Sequence, residues 1–221
     1  MRHLGTAVVL TLLAACGSQT PKTVPDTDGC AGRGAVVAKA DLDGAGSAHA
    51  VRLTGPGTGP CADRLLARGG VSVDVSGLDL VAARAKVVHL AGDAPDLVLL
   101  SAKPHPRGGA QWHLFGAGGK SGLTELTEGG QPLVPFVATD GGAAPMTVTC
   151  TNDGGVGIVT AQAHEPPGVV LAWDVTLTSY SVESGRAVLQ GRSSVAKAAA
   201  DPTLHQEHPE LYDGSLFADC S

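Results

Sequence analysis

Glycine and proline punctuation sets the first limit on this chain. There are 31 glycines and 14 prolines in 221 residues. A glycine inside a helix costs about 1 kcal/mol and a proline about 3 kcal/mol, and helix is expected to be scarce. Short strands joined by turns tolerate the same punctuation. Strands are expected over Ala35–Lys39, Ala48–Leu53, Val71–Val75, Lys86–Leu90, Leu97–Ala102 and Gln111–Phe115. Further strands are expected over Leu123–Leu126, Leu133–Ala138, Met146–Thr151, Gly157–Ala161, Val169–Val182 and Ala187–Gly191. Clusters of Gly, Pro and Asp separate them, often about ten residues apart, which is the spacing of an all-β domain.

The clearest strand comes late. Leu171, Trp173, Val175 and Leu177 alternate with Ala172, Asp174, Thr176 and Thr178. A period of two puts the first set on a core face. Glu183-Ser184-Gly185-Arg186 then reads as the turn of a hairpin. Helix is expected only over Cys61–Arg68 and over Pro202–Tyr212, where Pro209 limits it. Ala196–Ala200 is alanine-rich but too short to stand as a helix.

Composition removes several classes. The chain is 43% hydrophobic and 16% charged, too apolar and too weakly charged for a disordered protein. Its net charge is −6 and no basic cluster stands out, which argues against a nucleic-acid partner.

The N-terminus reads as an export signal. Arg2 and His3 form a polar n-region, and Leu4 to Leu12 form an apolar h-region of about nine residues. That run is too short to span a bilayer. Leu13-Ala14-Ala15-Cys16 follows directly and resembles the bacterial lipobox. The resemblance implies cleavage before Cys16 and diacylation of its sulfur. Residues 1–15 are then a lipoprotein signal peptide. Two acyl chains anchor stably where one is marginal, so the membrane becomes a partner through the lipid. Residues 16–29 are polar and read as a flexible tether, and residues 30–221 as a single all-β domain.

With Cys16 acylated, Cys30, Cys61, Cys150 and Cys220 remain. An even set in an exported chain reads as disulfides. Four cysteines allow three pairings, and nearness along the chain favours Cys30–Cys61 with Cys150–Cys220.

Three segments share an acidic or glycine-rich loop followed by an apolar strand. They are Ala40–Gly46 leading to Val51, Gly92–Asp96 leading to Val98, and Thr139–Gly142 leading to Val148. Their spacing of about 50 residues suits a four-stranded propeller blade. Asp41-Leu42-Asp43-Gly44-Ala45-Gly46 and His113-Leu114-Phe115-Gly116-Ala117-Gly118 resemble the loop and strand end of FG-GAP and VCBS-type repeats. The resemblance implies a degenerate β-propeller and calcium in the acidic loops. A β-sandwich is the alternative fold. Asp41, Asp43 and the Ser47 carbonyl would be the calcium ligands. Ala45 and His49 stand where further carboxylates belong, and a hard cation wants six to eight oxygens. The other reading of the loop is a turn whose Asp side chains bind backbone amides.

Signals for chemistry are sparse. There is no G-x-S-x-G, and Ser121 and Ser184 sit in turn-like contexts. His205 and His208 are three apart, near Glu207 and Glu210, without the H-E-x-x-H pattern of a zinc helix. His105 and His164 lie in proline-stiffened segments, and rigid loops can carry binding. No pair of glutamates marks glycosidase chemistry. Gly116–Ser121 lacks the spacing of a phosphate loop. The expectation is a lipid-anchored binding or structural protein at the outer face of the cell membrane, without catalytic activity. Its ligand would be a protein or a glycan. The competing classes are an envelope hydrolase acting on wall polymers and a calcium-stabilised scaffold.

Overall fold

A computed structural model describes residues 22–25, 29–30, 32–67, 71–106, 108–118, 123–134, 136–137, 144–151, 157–169 and 172–220. The expected signal peptide, Cys16, Ser121 and the 139–142 loop lie outside them. The protein is mostly β, with several antiparallel sheets and two disulfides.

The first sheet holds β1 (Lys22–Pro25), β2 (Ala35–Ala40), β3 (His49–Leu53), β4 (Arg64–Leu66) and β5 (Val71–Asp74), in the order β1-β5-β4-β3-β2. The central sheet is a meander of β6 (Leu80–Val88), β7 (Leu97–Ala102), β8 (Trp112–Ala117) and β9 (Leu123–Glu125). A short hairpin follows, β10 (Thr127–Glu128) with β11 (Gln131–Pro132). The third sheet is a second meander of β12 (Met146–Thr151), β13 (Gly157–His164), β14 (Ala172–Glu183) and β15 (Arg186–Ala200). Helix α1 (Asp201–Glu207) follows β15. Pro209 stops α1 and opens a short 3-10 turn over Pro209–Leu211, as its missing N–H and fixed φ require.

Burial explains how the sheets stack. Every residue of β7 is buried. Val98 and Leu100 pack with Phe115 and Leu123 against Val51, Leu65 and Val73 of the first sheet. Leu97 and Leu99 point the other way, and with Leu114 they meet Met146, Val148 and Ile158 of the third sheet. A strand covered on both faces is expected to be apolar at every position, and Leu97-Val98-Leu99-Leu100 meets that demand. The outer face of the third sheet buries Ala161, Ala163 and Val175 under Leu204 of α1 and Leu211. Trp173 and Leu177 pack on this cluster, so the alternating late strand turns its predicted core face toward the helix.

Several sequence expectations change. Cys61–Arg68 is no helix: Arg64–Leu66 is strand β4, between β3 and β5. Leu65 joins the inter-sheet core while Leu66 packs on Cys30 and Cys61, and two-sided burial outweighs helix propensity. Ala187–Gly191 and the alanine run after it form one long strand, because β14 supplies a partner out to Ala200. Lys22–Pro25, inside the segment read as tether, pairs with β5 at the sheet edge, where a proline costs no ladder bond. The strand expected over Leu133–Ala138 is reduced, among the described residues, to a bridge between Val137 and Ala110.

Cys30 pairs with Cys61 and Cys150 with Cys220, the pairing favoured by proximity. The second bond holds the C-terminal tail, whose Phe217 is buried in the core beside the central and third sheets. Lys86 Nζ donates to the Leu216 carbonyl at 2.6 Å and fixes the same tail. Val51, Val98 and Val148 fall on β3, β7 and β12, one in each sheet. Among the described residues no helix is long and apolar enough to cross a membrane.

Candidate functional site

The face of the third sheet that meets the central sheet changes character along its strands. On β13 it presents Ile158, then Thr160, Gln162 and His164; on β14 it presents Tyr180, then Thr178 and Thr176. Ile158 and Tyr180 belong to the apolar cluster. The rest of the row lines an open groove of about 750 Å³. The β10–β11 hairpin forms its far wall through Glu128, Gly129, Gln131 and Pro132, and Arg192 of β15 closes one side.

The register fixes these neighbours. Thr160 lies opposite Thr178, and Gln162 opposite Thr176. Arg192 lies opposite Thr178 on the third strand of the row. Threonine suits this floor because a β-branched side chain packs on a pleated surface while its hydroxyl stays available.

One end of the groove is fixed by a charged network. The Tyr180 hydroxyl donates to Glu128 Oε2, and the Arg192 guanidinium donates to Glu128 Oε1. Burial, then the hydrogen bond to Glu128 and its charge, pushes the Tyr180 phenol up to about 12, with Arg192 pulling the other way. Tyr180 therefore stays neutral and serves Glu128 as a donor. His164 Nε2 stands 4.0 Å from Asp174 Oδ2 at the open end. Gln162, Thr176 and Thr178 make no side-chain hydrogen bond to another described residue.

The acidic loop occupies a different place. Asp41 Oδ1 accepts the Ala45 N–H at 3.1 Å, and Oδ2 accepts the Gly46 N–H at 2.5 Å. Asp43 Oδ1 accepts the Ala45 N–H at 3.2 Å. Desolvation opposes ionisation of Asp41, but the Gly46 N–H, Asp43 and the Ala45 N–H outweigh it and hold its carboxyl below the ordinary value. Both carboxylates face backbone donors, the geometry of a turn cap, and this donor set does not assemble a cage for a hard cation. Ser47 is exposed beyond the turn. No group of three or more His, Cys, Asp or Glu that could hold a metal occurs among the described residues.

The two acidic loops bind each other. The Asp41 N–H donates to Asp96 Oδ2 at 2.7 Å, and the Asp96 N–H returns a bond to the Asp41 carbonyl at 2.8 Å. His89 Nδ1 lies 2.7 Å from Asp96 Oδ1. Gly44, at φ +67°, comes so close to the second loop that a β-carbon would stand 2.8 Å from the Asp93 carbonyl oxygen. Leu42, Leu90, Leu97 and Val182 line a smaller cavity of about 320 Å³ beside these loops, with Asp43 at its rim.

The remaining candidates disperse. His205 stacks on Tyr212 with ring centroids 4.4 Å apart, and His208 Nδ1 lies 3.1 Å from Glu210 Oε1; the two histidines share no site. His105 sits in a tight turn whose backbone bonds to Gly108 and Gly109. Ser184 is a hairpin turn residue at φ +50°. Trp173 Nε1 donates to Asp201 Oδ1 at 2.9 Å and helps dock the helix. His164 alone of the singled-out histidines reaches the groove. Sequence reasoning missed Glu128, Gln162, Thr176, Thr178 and Arg192 as groove residues. Only the polar alternation of β14 hinted at them.

No family model matches the chain, and comparison with curated proteins and with solved structures finds no match.

Proposed function

We propose that this chain is a lipid-anchored binding protein of the cell envelope. An acylated Cys16 holds it at the outer face of the membrane, and the groove of the third sheet takes its ligand. The observation that carries the reading is the groove: about 750 Å³ of space between a threonine-rich sheet face and a hairpin. Concave sites with a few converging polar groups are where ligands bind. Two disulfides support an oxidising compartment, which agrees with the leader and lipobox resemblance. Each larger sheet contains four antiparallel strands in sequence order, the strand order of a propeller blade. We read them as degenerate blades of the FG-GAP and VCBS type.

Two variants of the full chain test the reading. Cys16→Ser is expected to move the protein from the membrane fraction to the soluble one; continued membrane binding overturns the anchor. Thr176→Trp fills the groove. Solubilised envelope fragments are expected to raise the melting temperature of the parent chain, since a ligand at about 100 times its dissociation constant adds about 2.7 kcal/mol. That rise is expected to vanish in the variant. An equal rise in both proteins overturns the groove as the site.

A further inference from the structure

We infer that the groove of the third sheet binds a neutral glycan, through its hydroxyl and amide groups, at Gln162, Thr176 and Thr178. The inference rests on the groove being the ligand site. Thr178 is 8% exposed, Thr176 is half-buried and Gln162 is exposed; all three line the groove, and none of their side chains makes a hydrogen bond to another described residue. Valine would pack in the space of either threonine as well, and packing alone does not ask for a hydroxyl facing the groove. Uncommitted hydroxyls there make sense if a ligand pairs with them.

The spacing suits sugar. Gln162 and Thr176 are direct cross-strand partners, so their β-carbons lie about 5 Å apart. Thr176 and Thr178 share one strand face, about 7 Å apart. These are distances over which the hydroxyls of one pyranose ring, or of two joined rings, present themselves. A threonine hydroxyl donates and accepts, and a glutamine amide does both through separate atoms, as a sugar hydroxyl requires. Threonine methyls and Leu133 at the wall supply apolar surface for the C–H face of a ring.

Charge disfavours the ionic alternatives. Glu128 and Arg192 are already bonded to each other, and Glu128 also holds Tyr180. An anionic ligand at Arg192 would meet the Glu128 carboxylate beside it. A peptide is disfavoured because peptides add to free sheet edges through main-chain bonds. The floor here is the face of β13 and β14, interior strands with neighbours on both sides. Two carboxylates stand at the groove: Glu128 lines one end, and Asp174 lies beside His164 at the other.

The test uses the full chain, solubilised in detergent, against an immobilised series of neutral oligosaccharides, uronic-acid oligosaccharides and extended peptides. Retention of neutral oligosaccharides is expected. Thr176→Val and Thr178→Val are each expected to weaken it about three- to tenfold, the worth of one neutral hydrogen bond, with melting temperature unchanged or raised. Binding of a neutral glycan that both valine variants leave intact overturns the inference. Retention of peptides or acidic sugars instead, lost in the valine variants, overturns the ligand class while keeping the groove as a site. Retention of none of the three probe classes overturns both.

Discussion

His113 Nδ1 and Glu125 Oε1 lie 2.5 Å apart, with only 6% and 3% of their side chains exposed. The two sit on neighbouring strands of the central sheet. Their strand partners Leu100 and Phe115 belong to the core facing the first sheet. Removing one member of such a pair leaves the other without its partner in an apolar layer, at a cost of about 1–3 kcal/mol. Glu125→Ala is expected to show that loss in urea unfolding. Replacing both residues by leucine is expected to recover most of it. A single variant as stable as the parent overturns the account.

The β14–β15 turn is equally exacting. Ser184 and Gly185 both have positive φ, at 50° and 74°, as a two-residue hairpin requires. A β-carbon on Gly185 would collide with the Ala117 carbonyl of the central sheet. Gly185→Ala is therefore expected to cost at least about 2 kcal/mol, from strain and from separating two sheets. Ser184→Gly is expected to be neutral or stabilising. Unfolding midpoints of the two variants decide the point.

Alkaline pH should weaken the fold through its tyrosines, of which the chain has two. Burial and the bond to Glu128 push Tyr180 up to about 12, and burial and the bond to Asp201 do the same for Tyr212. Unfolded tyrosine titrates near 10. The raised folded values favour the protonated phenols, so this contribution is whole below about pH 10. It is lost as pH climbs through about 12. Phenolate absorbance is expected to rise near 12 in the native protein and near 10 in denaturant. Glu128→Gln is expected to lower the Tyr180 transition alone.

The disulfides should contribute unequally to shape but similarly to stability. Their ends are 31 and 70 residues apart in sequence, and closing loops of that size is worth about 4 kcal/mol each. Replacing Cys150 and Cys220 together by alanine is expected to lower stability by that order. It should also raise amide exchange around Leu216 and Phe217. Replacing Cys30 and Cys61 should leave exchange there unchanged.

What was legible in the sequence was local. Leu97–Ala102 and Met146–Thr151 emerge as read, because apolar runs between turn residues carry their own boundaries. Arg186–Ala200 was not legible at full length. Its serines, alanines and lysine have no strong strand signal, and its conformation comes from lying beside β14. Leu65 and Leu66 looked helical in isolation and became strand through neighbours on both sides. The groove was half visible: Thr176 and Thr178 could be read as the polar face of a strand. Nothing local announces that Glu128–Pro132 roofs that face, since the hairpin and the strand are far apart along the chain. Asp41 and Asp43 could be read as ion ligands or as turn caps; their carboxylates accept from the amides of Ala45 and Gly46.

The tail described above has a bearing on the order of events during biogenesis. Phe217 fills the core beside the central and third sheets, Leu216 bridges to Val148, and Cys220 bonds to Cys150. That layer cannot be sealed until Leu216, Phe217 and Cys220 are in place. Closure of this layer is thereby a late step of folding, coupled to formation of the Cys150–Cys220 disulfide.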